Sequence, residues 1–364
     1  MKISKYNIPW SKPLLLPRDK NFLNKAYDSS WISDGKFVTR FQIILKKLIG
    51  RKFAYATCNG TTAIHLAYLS LGLKKNDEII VPGFGYMAAA NIAKLMNLKV
   101  KFCDVDIETY CLSLDSLKKS ITKKTKAVVV INTYGNIDSI QEIQNFLKKK
   151  NIFLIEDAAE SLGSKYKNKY SGNFGDISTL SFHATKNITT GEGGMVLTDN
   201  LQIAKKIRLY RSHGVNNERY FHYVFGHNFR LSNLLAAIGF AQSNRIKNII
   251  KKRKEIYNYY LKNLNLNFVN LQKLSSKEIV PWTLPLTIKN KKIDKLYNFL
   301  KFNNIETRKG FYSANRMPIY NANKNLIKNS DFLSKNVICL PLYVGISNSE
   351  ISYICKKINS YFLK

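Results

Sequence analysis

The stretch AVVVINTYGNIDSIQEIQNFLKKKNIFLIED, Ala127 to Asp157, changes its hydrophobic period twice. The unbroken apolar run Ala127-Val128-Val129-Val130-Ile131 has the length and the branched side chains of a strand buried on both faces. From Ile137 to Lys149 apolar residues return at every third or fourth position (Ile137, Ile140, Ile143, Leu147), the spacing of a helix with one buried side. Ile152 to Asp157 is again a short apolar run, now closed by two carboxylates. A strand, a helix and a strand of these lengths predict an α/β unit built on a mostly parallel sheet. Ligands of such sheets gather beyond the carboxyl ends of the strands, where Asp157 falls.

The same rhythm extends in both directions. Upstream, helices are expected over Val38–Ile49, from Thr61 after the turn Asn59-Gly60, over Tyr86–Met96 and over Leu114–Ser120, with strands at Glu78–Pro82 and Val100–Asp104. Downstream, Asp176–Phe182 and Gly194–Thr198 predict two strands joined by a Gly-rich loop instead of a helix. Helices follow over Leu201–Arg211 and Leu231–Phe240. The basic amphipathic stretch Arg245–Leu264 predicts a connecting helix to a smaller α/β lobe. That lobe holds a strand at Trp282–Leu286, a helix at Asp294–Phe302 and a terminal helix at Asn348–Leu363. With 364 residues the chain exceeds the roughly 250–300 at which single cores stop growing, so two unequal domains are expected, 1–245 and 246–364.

A chain with 45% hydrophobic and 23% charged residues is neither disordered nor collagen-like. Its 58 Lys+Arg against 24 Asp+Glu give +34, which invites a nucleic-acid reading. The basic residues are dispersed, however, as in Lys74-Lys75, Lys118-Lys119 and Lys148-Lys149-Lys150, and do not form an arm or tail. Lys, Asn and Ile are residues of A/T-rich codons, so genome composition accounts for the excess without a polyanionic partner. The five cysteines (Cys58, Cys103, Cys111, Cys339, Cys355) form no C-x-x-C pair, and neither a disulfide scaffold nor a metal site is expected. MKISKYNIPW has no apolar signal core, and no apolar run is long enough for a bilayer; a cytoplasmic protein is expected.

Chemistry concentrates in Ser181–Asn200, SFHATKNITTGEGGMVLTDN. Lys186 stands between a strand and a Gly-rich loop, where it is either one more solvated surface lysine or, held in a cleft, a desolvated nucleophilic amine able to form a Schiff base. Asp157 either caps a helix beginning at Ala158 or meets a buried cation, such as a protonated pyridine nitrogen. Asn59-Gly60-Thr61-Thr62 is either a plain helix cap or a phosphate cradle of free amides and hydroxyls. Ser181 is either an ordinary strand residue or a further phosphate contact.

Taken together, a phosphate cradle, an aromatic Tyr86 after a strand end, a strand-end aspartate, Ser181 and Lys186 resemble the DegT/DnrJ/StrS sugar aminotransferases. The similar segments span nearly the whole chain: WISDGKFVTRF, CNGTTAIHLAYLSLGL, DEIIVPGFGYMAAANI, IEDAAESLGS, GDISTLSFHATKNITTGEGGMV, GHNFRLSNLLAAIGFAQ and ETRKGFY. The resemblance implies the aspartate aminotransferase fold of type I pyridoxal-phosphate enzymes, with an N-terminal arm and cofactor-binding domain over 1–245. It implies that Lys186 bonds the cofactor covalently, Asp157 pairs with the pyridine nitrogen, Tyr86 stacks on the ring and Glu160 lies near the ring hydroxyl. Gly60, Thr61 and Ser181 fall on phosphate-binding positions. Asn228 matches a residue that reaches a neighbouring subunit's site, implying a homodimer.

Glutamate is the amino donor the resemblance implies, and a nucleotide-linked keto sugar the acceptor, for O-antigen or capsule synthesis. A relation with histidine in place of the lysine dehydrates a sugar at its 3-position; Lys186 speaks against that here. Glu160 with NITTGEGG is most similar to the perosamine-synthase-like subgroup, which makes 4-amino sugars from nucleotide-linked 4-keto-6-deoxyhexoses. Arg308-Lys309-Gly310-Phe311-Tyr312-Ser313 lacks the Pro and His of many relatives, which leaves a small phosphorylated ketone as the other acceptor. Arg308, Tyr312 and His183 are the candidate substrate contacts.

Overall fold

The computed structural model describes residues 7–288 and 293–363; Met1–Tyr6, the start of the segment read for a signal, lie outside the described residues. The central sheet contains β1 (Phe53–Thr57), β2 (Glu78–Pro82), β3 (Lys99–Cys103), β4 (Thr125–Ile131) and β5 (Phe153–Asp157). After a small hairpin, β6 (Lys165–Tyr166) and β7 (Lys169–Tyr170), it is completed by β8 (Ile177–Ser181) and β9 (Gly194–Thr198). Strand order is β1-β9-β8-β5-β4-β2-β3. Pairing is parallel from β3 through β8, and only β9 runs against its neighbours.

Burial of both faces follows from side-chain alternation. Ile79, Val81, Val129 and Ile155 pack under the helices Gly60–Leu71 and Ala88–Leu95. Ile80, Val128, Val130 and Leu154 point the other way, against Ile140, Ile143 and Leu147 of the helix Ile140–Lys148. The mostly parallel α/β sheet expected from the sequence is thus borne out. Within this sheet the strand missed by that reading is β1, FAYAT, whose two alanines give it little hydrophobic signal.

A second sheet holds β10 (Val269–Leu271), β11 (Leu284–Ile288), β12 (Arg308–Lys309) and β13 (Ile338–Leu340), all antiparallel, in the order β10-β11-β13-β12. The expected strand at Trp282 begins two residues later, leaving Trp282 in the turn ahead of it. The helices Ile246–Asn263 and Asn348–Phe362 cover this sheet. Ile8 joins the same core and bridges to Ile305, so the first described residues pack with the last third of the chain.

Strand register brings several candidate positions together. Ile131, Asp157 and Thr179 are neighbours across β4, β5 and β8. Gly194 lies between Thr57 and Ser181. A Cβ on Gly194 would come within 2.3 Å of the Asn59 carbonyl oxygen, so only glycine lets the turn after β1 close over β9. The chain after Asp157 forms turns, not the helix from Ala158 that one reading of the aspartate required.

Candidate active site

Asn59 opens the helix Gly60–Leu71 by accepting the Thr62 amide at 2.8 Å, while the Thr62 hydroxyl turns back to the Asn59 carbonyl. This leaves the amides of Gly60 and Thr61 free in the first helical turn, at the positive end of the helix dipole. Gly60 packs directly on Ser181: a Cβ there would stand 3.0 Å from Ser181 Cβ and 3.3 Å from its Oγ. Gly60, Thr61 and Ser181 therefore form one cradle at the ends of β1 and β8.

Lys186 is carried by a loop that its neighbours hold rigidly. Its own amide donates to the His183 carbonyl at 2.9 Å, Asn187 Nδ2 to the Leu162 carbonyl at 2.8 Å, and Gln242 brackets Thr189 from both sides. The lysine side chain is nearly buried, with Glu160 Oε1 3.6 Å from Nζ. Desolvation lowers its pKa, opposed by the carboxylates of Glu160 and Asp157. Burial pushes the Glu160 carboxyl up, opposed by Lys186 and by the Tyr134 amide, which donates to Oε2 at 2.8 Å.

Asp157 is buried at the end of β5, and desolvation raises its pKa against the pull of the Ala159 amide and of Lys186. Both hydrogen bonds it receives, from the Ala159 amide at 3.1 Å and the Thr179 hydroxyl at 3.3 Å, end on Oδ1. Oδ2 has no donor among the described residues. A buried carboxylate in that state calls for a cation.

Aromatic rings line the opposite side. Lys186 Nζ lies 3.8 Å from the centroid of Trp282. Tyr134 stacks between Trp282 and Phe311, at 6.4 and 5.1 Å, and Phe311 meets Tyr86 edge-on at 6.3 Å. Tyr86 itself is 62% exposed, standing just before the helix Ala88–Leu95. None of Trp282, Tyr134 and Phe311 was singled out in the sequence. Trp282 reads as one more apolar residue of a strand, and nothing local marks Tyr134, whose φ of 58° is set by the turn after β4.

The remaining candidates lie farther out. His183 shares the Lys186 turn but points away, its Nδ1 3.1 Å from Thr185 Oγ1 and its Nε2 3.9 Å from Glu192. Arg308 is paired with Glu306 at 2.9 Å and lies over Trp10, 5.7 Å from the ring centroid. Tyr312 is exposed beneath the Arg316 guanidinium. Asn228 is exposed and accepts from Arg230 Nε at 3.1 Å, next to Phe229, whose carbonyl receives the Cys58 amide at 2.9 Å.

These groups fit pyridoxal phosphate. A cradle that a Cβ would fill suits the phosphate, a buried carboxylate with one oxygen unpartnered suits a protonated ring nitrogen, and a desolvated amine suits the aldehyde.

The model of the DegT/DnrJ/EryC1/StrS aminotransferase family matches residues 16–359. GDP-perosamine synthase of Escherichia coli O157:H7 is 38% identical over 360 residues, 98% of this chain and 98% of that protein. The Vibrio cholerae GDP-perosamine synthase is 36% identical over 363 residues, 98% and 99% of the two chains. Among solved structures, E. coli GDP-4-keto-6-deoxy-D-mannose-3-dehydratase with bound hydrated PLP aligns with a TM-score of 0.90 at 25% identity, over 97% of this chain and 99% of that one. With a family match across nearly its full length and relatives similar from end to end, the chain belongs to the DegT/DnrJ/EryC1/StrS aminotransferase family.

Proposed function

We propose that the protein moves the amino group of glutamate to the 4-keto carbon of a nucleotide-linked 4-keto-6-deoxyhexose, in the synthesis of a surface polysaccharide such as O-antigen or capsule. The observation that carries this reading is the desolvated Lys186 amine set between Glu160, Asp157 and an aromatic wall. GDP-linked sugars are the first substrates to try, since two relatives similar over their whole length are named for GDP-perosamine.

Bound pyridoxal phosphate supplies an electron sink that stores the amino group between the two half-reactions. Asp157 holds a proton at the pyridine nitrogen and so keeps that sink effective. Gly60, Thr61 and Ser181 would hold the phosphate, Tyr86 would cover the ring, and Glu160 would lie near the ring hydroxyl. Lys186 would be both acid and base, its free amine taking the proton from the α carbon of glutamate and later delivering one to the sugar carbon. His183, Arg308 and Tyr312, which lie farther from Lys186, would meet the substrate only from the outer part of the site.

Residues 1–245 carry the cofactor-binding groups, and 246–364 supply Trp282 and Phe311 to the wall. The exposed loop around Asn228, with Tyr220, Phe221, Tyr223 and Phe225 also exposed, suits a homodimer whose subunits share their sites. Such an enzyme works in the cytoplasm; among the described residues no helix is long and apolar enough to cross a membrane. Glutamate-dependent amination of GDP-, UDP- and dTDP-linked 4-keto-6-deoxyhexoses, with small keto phosphates alongside, tests the reading. Turnover of the small ketones alone would overturn it.

A further inference from the structure

The ring of Trp282 does more than wall the pocket. Its indole Nε1 donates to the Thr185 carbonyl at 2.8 Å, one residue before Lys186, while its face lies 3.8 Å from Lys186 Nζ. The backbone of Trp282 is fixed from both sides: its amide donates to the Tyr134 carbonyl at 2.9 Å, and its carbonyl accepts from the buried Arg253 at 3.4 Å. Tyr134 in turn donates its amide to Glu160 Oε2, and Glu160 Oε1 faces Lys186. The contacts close a circuit, Lys186 to Trp282 to Tyr134 to Glu160 and back to Lys186. Trp10, edge-on to Trp282 at 5.4 Å, backs the ring.

We propose that Trp282 is the positioning residue of Lys186, its indole face seating the amine whenever it is free and its N–H clamping the backbone one residue earlier. This rests on Lys186 being the cofactor lysine. A lysine stem is flexible, and a proton-transfer group must return to one place at each turnover. The face of an indole attracts a cation within about 6 Å without withdrawing it into an ion pair. Glu160 and Asp157 support the charged amine from the other side, and Arg245, Arg253 and Lys12 share a small cavity with Lys186. The ring adds to the support for the charged form, so its loss lets the amine become neutral at lower pH.

The experiment uses the full chain stripped of cofactor and mixed with pyridoxal phosphate, with the visible absorption followed by stopped flow from about pH 6 to about pH 10. Capture requires the neutral amine, so the pH midpoint of its rate reports Lys186. In Trp282→Leu the midpoint is expected to fall by about half a unit or more, with Trp282→Phe between it and the unaltered protein. A ring that serves only to fill space would change the rate and leave the midpoint where it was. An unmoved midpoint in Trp282→Leu overturns the inference; should that variant fail to fold, the Phe variant decides by the same criterion. Lys186→Ala separates the two layers. Capture that persists in it defeats the cofactor assignment, whereas no capture there with an unmoved Trp282 midpoint defeats only the role of the ring.

Discussion

Glu160 divides its two carboxylate oxygens between Lys186, 3.6 Å from Oε1, and the Tyr134 amide, 2.8 Å from Oε2. One side chain thus ties the lysine loop to the turn after β4. Glu160→Gln keeps the volume and an acceptor for the Tyr134 amide but removes the charge that raises the Lys186 pKa. The Lys186 amine should then lose its proton at lower pH. A fall of about one unit, tenfold in the ratio of charged to neutral amine, is expected in the pH profile of cofactor capture. A profile that moves upward would contradict the arrangement.

Lys186→Ala should remove the visible absorption of the purified protein and bring amination below detection while leaving the far-ultraviolet circular dichroism unchanged. Normal activity in that variant would refute the assignment.

Asp157 gives a pH test of stability. Burial raises its folded-state pKa above the ordinary 3.8, so the cofactor-free folded chain holds that proton more tightly than the unfolded chain does. Its contribution to stability is therefore greatest below the ordinary value and is lost as pH rises through the raised one. Asp157→Asn abolishes this dependence. Without cofactor, the variant's melting temperature should gain on that of the unaltered protein as pH rises from 3.8 through the raised value; with cofactor the variant should be the less stable, because the ring nitrogen loses its counter-charge.

Two glycines should separate folding from cofactor binding. Gly194→Ala places a Cβ 2.3 Å from a backbone carbonyl that cannot move aside, and should cost about 1–3 kcal/mol in denaturant unfolding. Gly60→Ala meets only Ser181 at 3.0 Å, in a helical turn that tolerates alanine, so unfolding should change little. Its effect should appear as weaker retention of pyridoxal phosphate during dialysis. Equal losses of stability in both variants would contradict this division.

Asn59→Ala removes the side-chain acceptor for the Thr62 amide and should lower stability by about 1 kcal/mol, with a parallel loss of phosphate affinity. Asn59→Asp, which retains the acceptor and adds a negative charge at the cradle, should preserve the fold and still weaken the cofactor.

What the sequence revealed depends on the range of the interaction. The unbroken apolar run Ala127–Ile131 and the helical spacing of Ile140, Ile143 and Leu147 are local signals, and both elements form, the helix starting at Ile140 instead of Ile137. Lys186, Asp157, Gly60 and Ser181 could be picked as candidates because each sits at a strand end or turn with a local signal, whereas Glu160 was reached only through the family resemblance. Trp282 and Tyr134 were not candidates. Their roles come from contacts across 96 and 26 residues with Lys186 and Glu160, and a tryptophan ahead of an apolar run carries no mark of what its face will meet. The helix from Ala158, one of the two readings of Asp157, does not form; the chain there turns, and Glu160 accepts the Tyr134 amide.

Trp10 and Trp282 meet edge to face, and Arg253, which donates to the Trp282 carbonyl, also reaches the Leu342 carbonyl. The lysine, the cradle and the strand-end aspartate are all synthesised by residue 198, yet the surface on which the amine rests draws on both ends of the polypeptide. The seat of the amine therefore depends on how the first described residues pack against the second sheet as well as on the loop that carries the lysine.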